Sequence, residues 1–350
     1  MKYACLKFEN NSNYNFIMEK ITFIVQNKWG SSIMSGYQIN DQLKKMGFNT
    51  ECVHLKEIAI CNIDSINQLR LISNNIIIFV KFFPQNKEIL FELSLNNKLF
   101  WWIEDNFNLE LYFYARFFSE IIFPTEYMLE FIKNNLGKKN NYEDYNELLK
   151  NMAVFLSSLN TIDPNKTNFT CIRDHWDPRL KDLLDTDNLV KSKQPTICYI
   201  GCNENDLIQS NIIDKFTSPP HDFTVDYNDE NFVRKIGQYS YHFSVRDSDT
   251  LDYYFKMNAK ISTASFFNSP IITTKDKCVL ELVGENYPYY IENMESDTIR
   301  KTIIFALENY KTDIWENTTN IMKKVKEETS IENICKEYSK ILKKYMYNFK

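Results

Sequence analysis

Three cations gather in the second half of the chain. Arg246 ends the run Tyr241-His242-Phe243-Ser244-Val245-Arg246, and Lys256 and Lys260 follow in Lys256-Met257-Asn258-Ala259-Lys260. An apolar strand that delivers an arginine at its end, then a lysine-bearing loop that enters a helix, brings positive charge and unpaired backbone N–H groups to one point. Such a point binds anions, and its extent suits a diphosphate. Ser262, Thr263, Ala264 and Ser265 are small enough for a ligand to approach the helix backbone. Lys256 and Lys260 share a face if both are helical; if Lys256 lies in the loop, it reaches the anion from the other side. The same lysines would also serve as a solvated helix face.

Groups able to move protons form a second set. Glu104 and Asp105 follow the apolar run 99–103, and Asp174-His175-Trp176-Asp177-Pro178 is a dense polar and aromatic cluster. Asp105 equally suits a helix cap, and His175 with Trp176 equally suits packing between domains. Spacing does not choose among Asp105, Asp174, His175 and Asp177 as a general base. A metal is not implied, because the eight cysteines are scattered without a CxxC pair and only four histidines could join them. Asp185-Thr186-Asp187 and Asp247-Ser248-Asp249 are acidic triplets of a kind that arises readily by chance.

The elements that must carry these groups alternate short apolar runs with amphipathic ones, the pattern of βα units and a mainly parallel sheet. Strands are expected at 21–25, 51–55, 76–80, 99–103 and 121–123, with a helix over 36–47 that ends on Gly47 and another over 126–135. The polar stretch 137–144 reads as a surface excursion. A second βα series opens at Thr196-Ile197-Cys198-Tyr199-Ile200-Gly201, with strands at 196–200, 223–225, 239–245, 270–273 and 289–291. Helices near 206–215, 229–237, 259–267 and 297–309 separate them. This divides the chain into domains at 1–190 and 191–350, in keeping with the size at which one core stops growing. Segment 321–350 is helical in pattern and holds eight Lys against four Glu, which suits a solvated face or contact with an anionic membrane surface.

Composition sets the outer bounds. Apolar residues make up 44% of the chain and charged residues 25%, enough for two packed cores and far from a disordered polymer. A net charge of −5 without a basic stripe argues against nucleic acid. The longest apolar stretch, 76–83, is short of the ~20 residues a membrane span needs. Lys7 and Glu9 interrupt any secretory signal, so a cytoplasmic protein with reduced thiols is expected.

Lys256-x3-Lys260-x2-Thr263-Ala264-x5-Pro270-Ile271-Ile272 resembles the donor-binding helix and following strand of GT-B glycosyltransferases. The loop Asn27-Lys28-Trp29-Gly30-Ser31-Ser32, the segment Trp102-Ile103-Glu104-Asp105-Asn106, and Tyr199-Ile200-Gly201 fall where that family places its other segments. The resemblance covers residues 21–291. It implies two Rossmann-like domains facing across a cleft, a C-terminal helix crossing back to the first domain, and metal-independent transfer of a sugar from a nucleoside-diphosphate sugar to a glycan, lipid-linked or other hydroxyl acceptor. No separate cofactor is implied. Arg246, Lys256, Lys260, Ser262 and Thr263 would hold the diphosphate, Gly201 and Glu281 the nucleotide or sugar, and Gly30, Ser31 and Ser32 would lie near the acceptor and the phosphates. Asp105, His175 and Asp177 supply the catalytic candidates. The family's helix-end glycine is Asn268 here, and the ribose-binding glutamate of many retaining members is replaced by Thr263, so the stereochemical outcome and the donor nucleotide stay open. A catalytically inactive nucleotide-binding protein of the same architecture is the alternative. A Rossmann methyltransferase fits less well, because Gly201 lacks the further glycines of such a turn.

Overall fold

The computed structural model describes residues 20–28, 30, 32–103, 109–135, 166–186, 189–201, 212–217, 229–246 and 255–347. Its first sheet contains β1 (Lys20–Val25), β2 (Thr50–His54), β3 (Asn75–Val80), β4 (Lys98–Trp102), β5 (Glu120–Phe123) and β6 (Asn168–Cys171), all parallel, in the order β2-β1-β3-β4-β5-β6. Every residue of β3 is buried, as a central strand covered on both faces requires. The second sheet is also parallel, with β7 (Ile197–Gly201), β8 (Ile213–Thr217), β9 (Tyr241–Ser244), β10 (Ile271–Thr274) and β11 (Tyr290–Ile291) in the order β11-β10-β9-β7-β8. Each sheet thus has its opening strand flanked by the next two. That order reverses direction beside β1 and beside β7, and the crevice at such a reversal is where ligands of open α/β sheets bind.

Helices fill the connections. In the first half they are α1 (Ile39–Lys45), α2 (Ile63–Arg70), α3 (Lys87–Asn96) and α4 (Glu126–Asn135). The π-helical turn Ser32–Gln38 leads into α1, and Gly36 within it packs so closely on β1 that a Cβ there would meet Val25 at 2.5 Å. α5 (Arg179–Leu183) lies in the passage between sheets. α6 (Glu230–Gly237), α7 (Ala259–Phe266), α8 (Lys277–Val283) and α9 (Ser296–Glu308) belong with the second sheet. Asn268, just after α7, has φ +53°, a left-handed geometry that asparagine, after glycine, adopts more readily than most residues.

α10 (Asp313–Glu328) and α11 (Ile331–Tyr347) end the described chain, and α11 crosses back to the first sheet as expected. Its Ile331, Ile334, Cys335, Tyr338 and Leu342 share a buried cluster with Ile21, Phe23, Ile78 and Phe100. Tyr338 meets Phe23 edge-on at 6.3 Å, and Tyr345 meets Phe100 at 4.9 Å. The opposite face exposes Lys336, Lys340, Lys343 and Lys344, with Lys340 paired to Glu337 at 2.7 Å.

Two expectations are corrected. Residues 213–217 form β8, not the end of a helix over 206–215, and β6 adds an unanticipated sixth strand to the first sheet. Both are edge strands; Asp214 and Lys215 of β8 are exposed, so neither has the apolar run that marks a central strand. The expected strand at 223–225 lies outside the described residues.

Candidate functional site

Arg246 and Lys260 stand on elements beside the reversal at β7. Arg246 follows β9 by two residues; its amide donates to Thr274 Oγ1 at 3.3 Å, and its Nη1 donates to the Lys256 carbonyl. Lys256 is therefore in the loop, and α7 starts after Asn258. Asn258 is buried: its Oδ1 accepts the Lys260 amide at 3.2 Å, and its Nδ2 donates to Ser244 Oγ at 3.0 Å. Ser244 is the last residue of β9, so this cap fixes the N-terminus of α7 against the strand that delivers Arg246. Lys260 places its ammonium 5.2 Å from the centre of the Tyr199 ring on β7. Gly201 ends β7 beneath that ring, and any Cβ there would overlap it.

Ser262 and Thr263 diverge. Ser262 is fully buried, and among the described residues its Oγ has no hydrogen-bond partner. Thr263 is half-buried and donates back to the Ala259 carbonyl at 3.3 Å. Beside Arg246, Asp276 caps α8 through Oδ1, which accepts the Val279 amide at 2.7 Å. Burial pushes its carboxyl up to about 6, with Arg246 pulling the other way.

The first sheet meets this region along its own C-terminal edge. Glu281 on α8 accepts the amide of Glu126 at 3.0 Å and that of Tyr127, and so caps α4 from the opposite sheet. Arg173, just beyond β6, comes within 4.0 Å of Glu281 and 3.8 Å of Glu328. The Asp174 amide contacts Met257 Sδ at 3.3 Å. Gly30 is exposed with φ +33°, and Ser32 is buried at the start of the π-helical turn; Ser31, Glu104 and Asp105 lie outside the described residues.

His175 and Asp177 are brought together through Gln38. His175 Nε2 lies 2.9 Å from Gln38 Oε1, and Gln38 Nε2 donates to Asp177 Oδ1 at 3.0 Å. Asp177 also accepts from Arg179 through Nε at 2.9 Å and through Nη2. Burial lowers the His175 imidazole to about 4 against the opposite pull of Asp177 and Glu332. The ring is neutral near pH 7, and with Nε2 donating to the amide oxygen its basic nitrogen is Nδ1. Trp176 packs 4.9 Å from Phe266 and donates its ring N–H to the Lys326 carbonyl at 2.9 Å, which ties the passage between sheets to α7 and α10.

No protein-family model matches the chain, and no curated protein matches it in sequence. Solved structures do share its fold. A glycosyltransferase from Rickettsia africae aligns over 94% of this chain and 99% of its own, with 13% identity and a TM-score of 0.65. A sucrose-phosphate synthase from Thermosynechococcus elongatus aligns over 93% of this chain and 99% of its own, with 9% identity and a TM-score of 0.58. Anabaena HepE, solved in complex with UDP-glucose, aligns over 92% of this chain and 99% of its own, with 9% identity and a TM-score of 0.52. At such identities the likeness is one of fold, and that fold is the GT-B architecture of paired Rossmann-like domains.

Proposed function

We propose that this chain is a glycosyltransferase that moves a sugar from a nucleoside-diphosphate sugar to a hydroxyl acceptor, a glycan or lipid-linked sugar among the candidates. The observation that carries the reading is the placement of Arg246 beyond the end of β9 and of Lys260 over Tyr199 of β7, with the capped N-terminus of α7, beside the strand-order reversal of the second sheet. The GT-B fold supports it, as does the UDP-glucose held by HepE.

In the reaction, the acceptor oxygen bonds to the anomeric carbon while the bond from that carbon to the diphosphate breaks. The electron pair leaves with the diphosphate, and the acceptor proton passes to a base or to solvent. Negative charge grows on the leaving oxygens, so fixed cations and a helix N-terminus there favour the transition state over the bound substrate. Arg246 and Lys260 serve as those cations, with Lys256 further out in the loop, and protein charge takes the part a metal ion has elsewhere.

The test is release of nucleoside diphosphate from UDP-, GDP- and ADP-sugars, together with calorimetric titration of the free diphosphates. Turnover of one donor, lost in Arg246→Ala, supports the reading. Tight diphosphate binding without turnover of any donor would make the chain an inactive nucleotide-binding protein, and absence of both would refute the site.

A further inference from the structure

Phe255 belongs to the segment that enters α7, yet its ring is buried in the core of the first sheet. It stacks on Tyr127 at 6.0 Å and sits 5.2 Å from Phe131, both on α4. Its carbonyl accepts from Thr125 Oγ1 at 3.4 Å. The next three residues divide between the two halves of the molecule. The Lys256 carbonyl holds Arg246, Met257 Sδ meets the Asp174 amide, and Asn258 caps α7. One short run thus plugs into the first sheet and shapes the anion site on the second. From the other side, Glu281 places a carboxylate of the second half on the first-turn amides of α4.

We propose that Phe255 is a positioning residue: its ring seated against α4, with Glu281 as the partner cap, ties the docking of the two domains to the placement of Arg246 and the N-terminus of α7. The inference rests on the diphosphate reading above for its functional consequence. Its structural half stands on the contacts alone. Removing the ring frees residue 255 from α4, and with it the Lys256 carbonyl that orients Arg246. Coupling between two sites is reciprocal, so an anion that needs Arg246 in place must also tighten the seating of α4.

Hydrogen exchange read by mass spectrometry tests this on the full chain, for wild type, Phe255→Ala, Phe255→Leu and Glu281→Gln, with UDP as the probe. Without UDP, Phe255→Ala should speed exchange in 126–131 and in 259–264 together, while β3 and α11 keep their protection. Phe255→Leu, which still fills the pocket, should restore most of it. UDP should slow exchange in 126–131 of the wild type, and Phe255→Ala should weaken UDP binding by a factor within the usual range for coupled sites, about 5–150-fold. Should Phe255→Ala unfold, Glu281→Gln, which weakens the cap on α4, carries the comparison, and exchange should again quicken in 126–131 and 259–264 together. Independent changes in the two segments would overturn the coupling, as would equal UDP affinity in wild type and folded Phe255→Ala. If the wild type binds no UDP, the nucleotide reading fails and the ligand-free exchange still decides whether α4 and α7 are linked.

Discussion

Arg246 has a proposed role and an observed contact, and they separate what its replacement would do. On the proposed reading its guanidinium is offered to a leaving diphosphate, and its Nη1 holds the Lys256 carbonyl. Arg246→Ala therefore removes charge and lets the loop before α7 drift, and kcat should fall on the order of 10²–10³ once a donor is known. Arg246→Lys keeps the charge without the fork and should recover only part of the loss. Lys260→Ala should lower kcat while shifting the thermal midpoint only slightly, since a cation over a ring such as that of Tyr199 contributes about 0.5–1 kcal/mol. Near wild-type turnover in both alanine variants would remove the main support for the site. Asp276 offers a second prediction at this scale. It is fully buried, and among the described residues its Oδ2 has no partner. Its folded-state pKa of about 6 lies above the ordinary 3.8, so the folded protein prefers the protonated form. That preference stabilises fully below about pH 4 and is lost as pH rises through 6, leaving a cost of at most about 3 kcal/mol at neutral pH. Asp276→Asn keeps the cap to Val279 and removes the charge. It should raise the thermal midpoint at pH 7.5, with the gain shrinking towards pH 4; no gain at pH 7.5 would mean that Arg246 neutralises the carboxylate.

At the scale of elements, the cap of α7 is the joint between strand and site. Asn258→Ala deletes an N-cap and the bond to Ser244, so it should cost about 1–2 kcal/mol in denaturant unfolding, whereas Asn258→Asp should retain the cap to the Lys260 amide. An unchanged denaturation midpoint in the alanine variant would show that the first turn is held by other contacts. This element was legible in the sequence, because a polar residue before small helical ones and after a lysine loop is a local signal. The central strands were legible for the same reason: β1, β3, β4 and β5 are continuous apolar runs. β6 and β8 were not, since an edge strand can remain half-solvated and carries residues such as Asn168, Asp214 and Lys215. The partner network was the hardest to foresee. Nothing local to Glu281 says that it caps α4, and nothing local to Phe255 says that it lies in the other core; both are consequences of docking. The Gln38 bridge between His175 and Asp177 likewise joins residues nearly 140 positions apart.

For the whole molecule, the charge states buried at the junctions set its response to acid. His175 is sealed between the passage linking the sheets and the turn before α1, and His242 lies on β9, stacked 5.7 Å from Phe267. Burial lowers the first to about 4 and the second to about 3. Both folded values lie below the ordinary 6.5, so as pH falls from about 6.5 the unfolded chain takes up protons that the folded chain refuses. Stability should therefore drop through that window until the folded imidazoles titrate, with His175 alone contributing about 3 kcal/mol. Two carboxyls work against this. Asp276 and Glu120 are raised by burial, and their protonation favours the folded state over part of the same range. The histidine limb should then stand out in an Asp276→Asn background, where the thermal midpoint falls more steeply with acid than in wild type. Adding His242→Phe should flatten that fall, because phenylalanine preserves the stack on Phe267 and removes one titrating group whose Nε2 has no partner among the described residues. An acid limb of equal slope with and without His242→Phe would show that the ring is hydrated in solution and that the packing of β9 against α7 opens before the domains do.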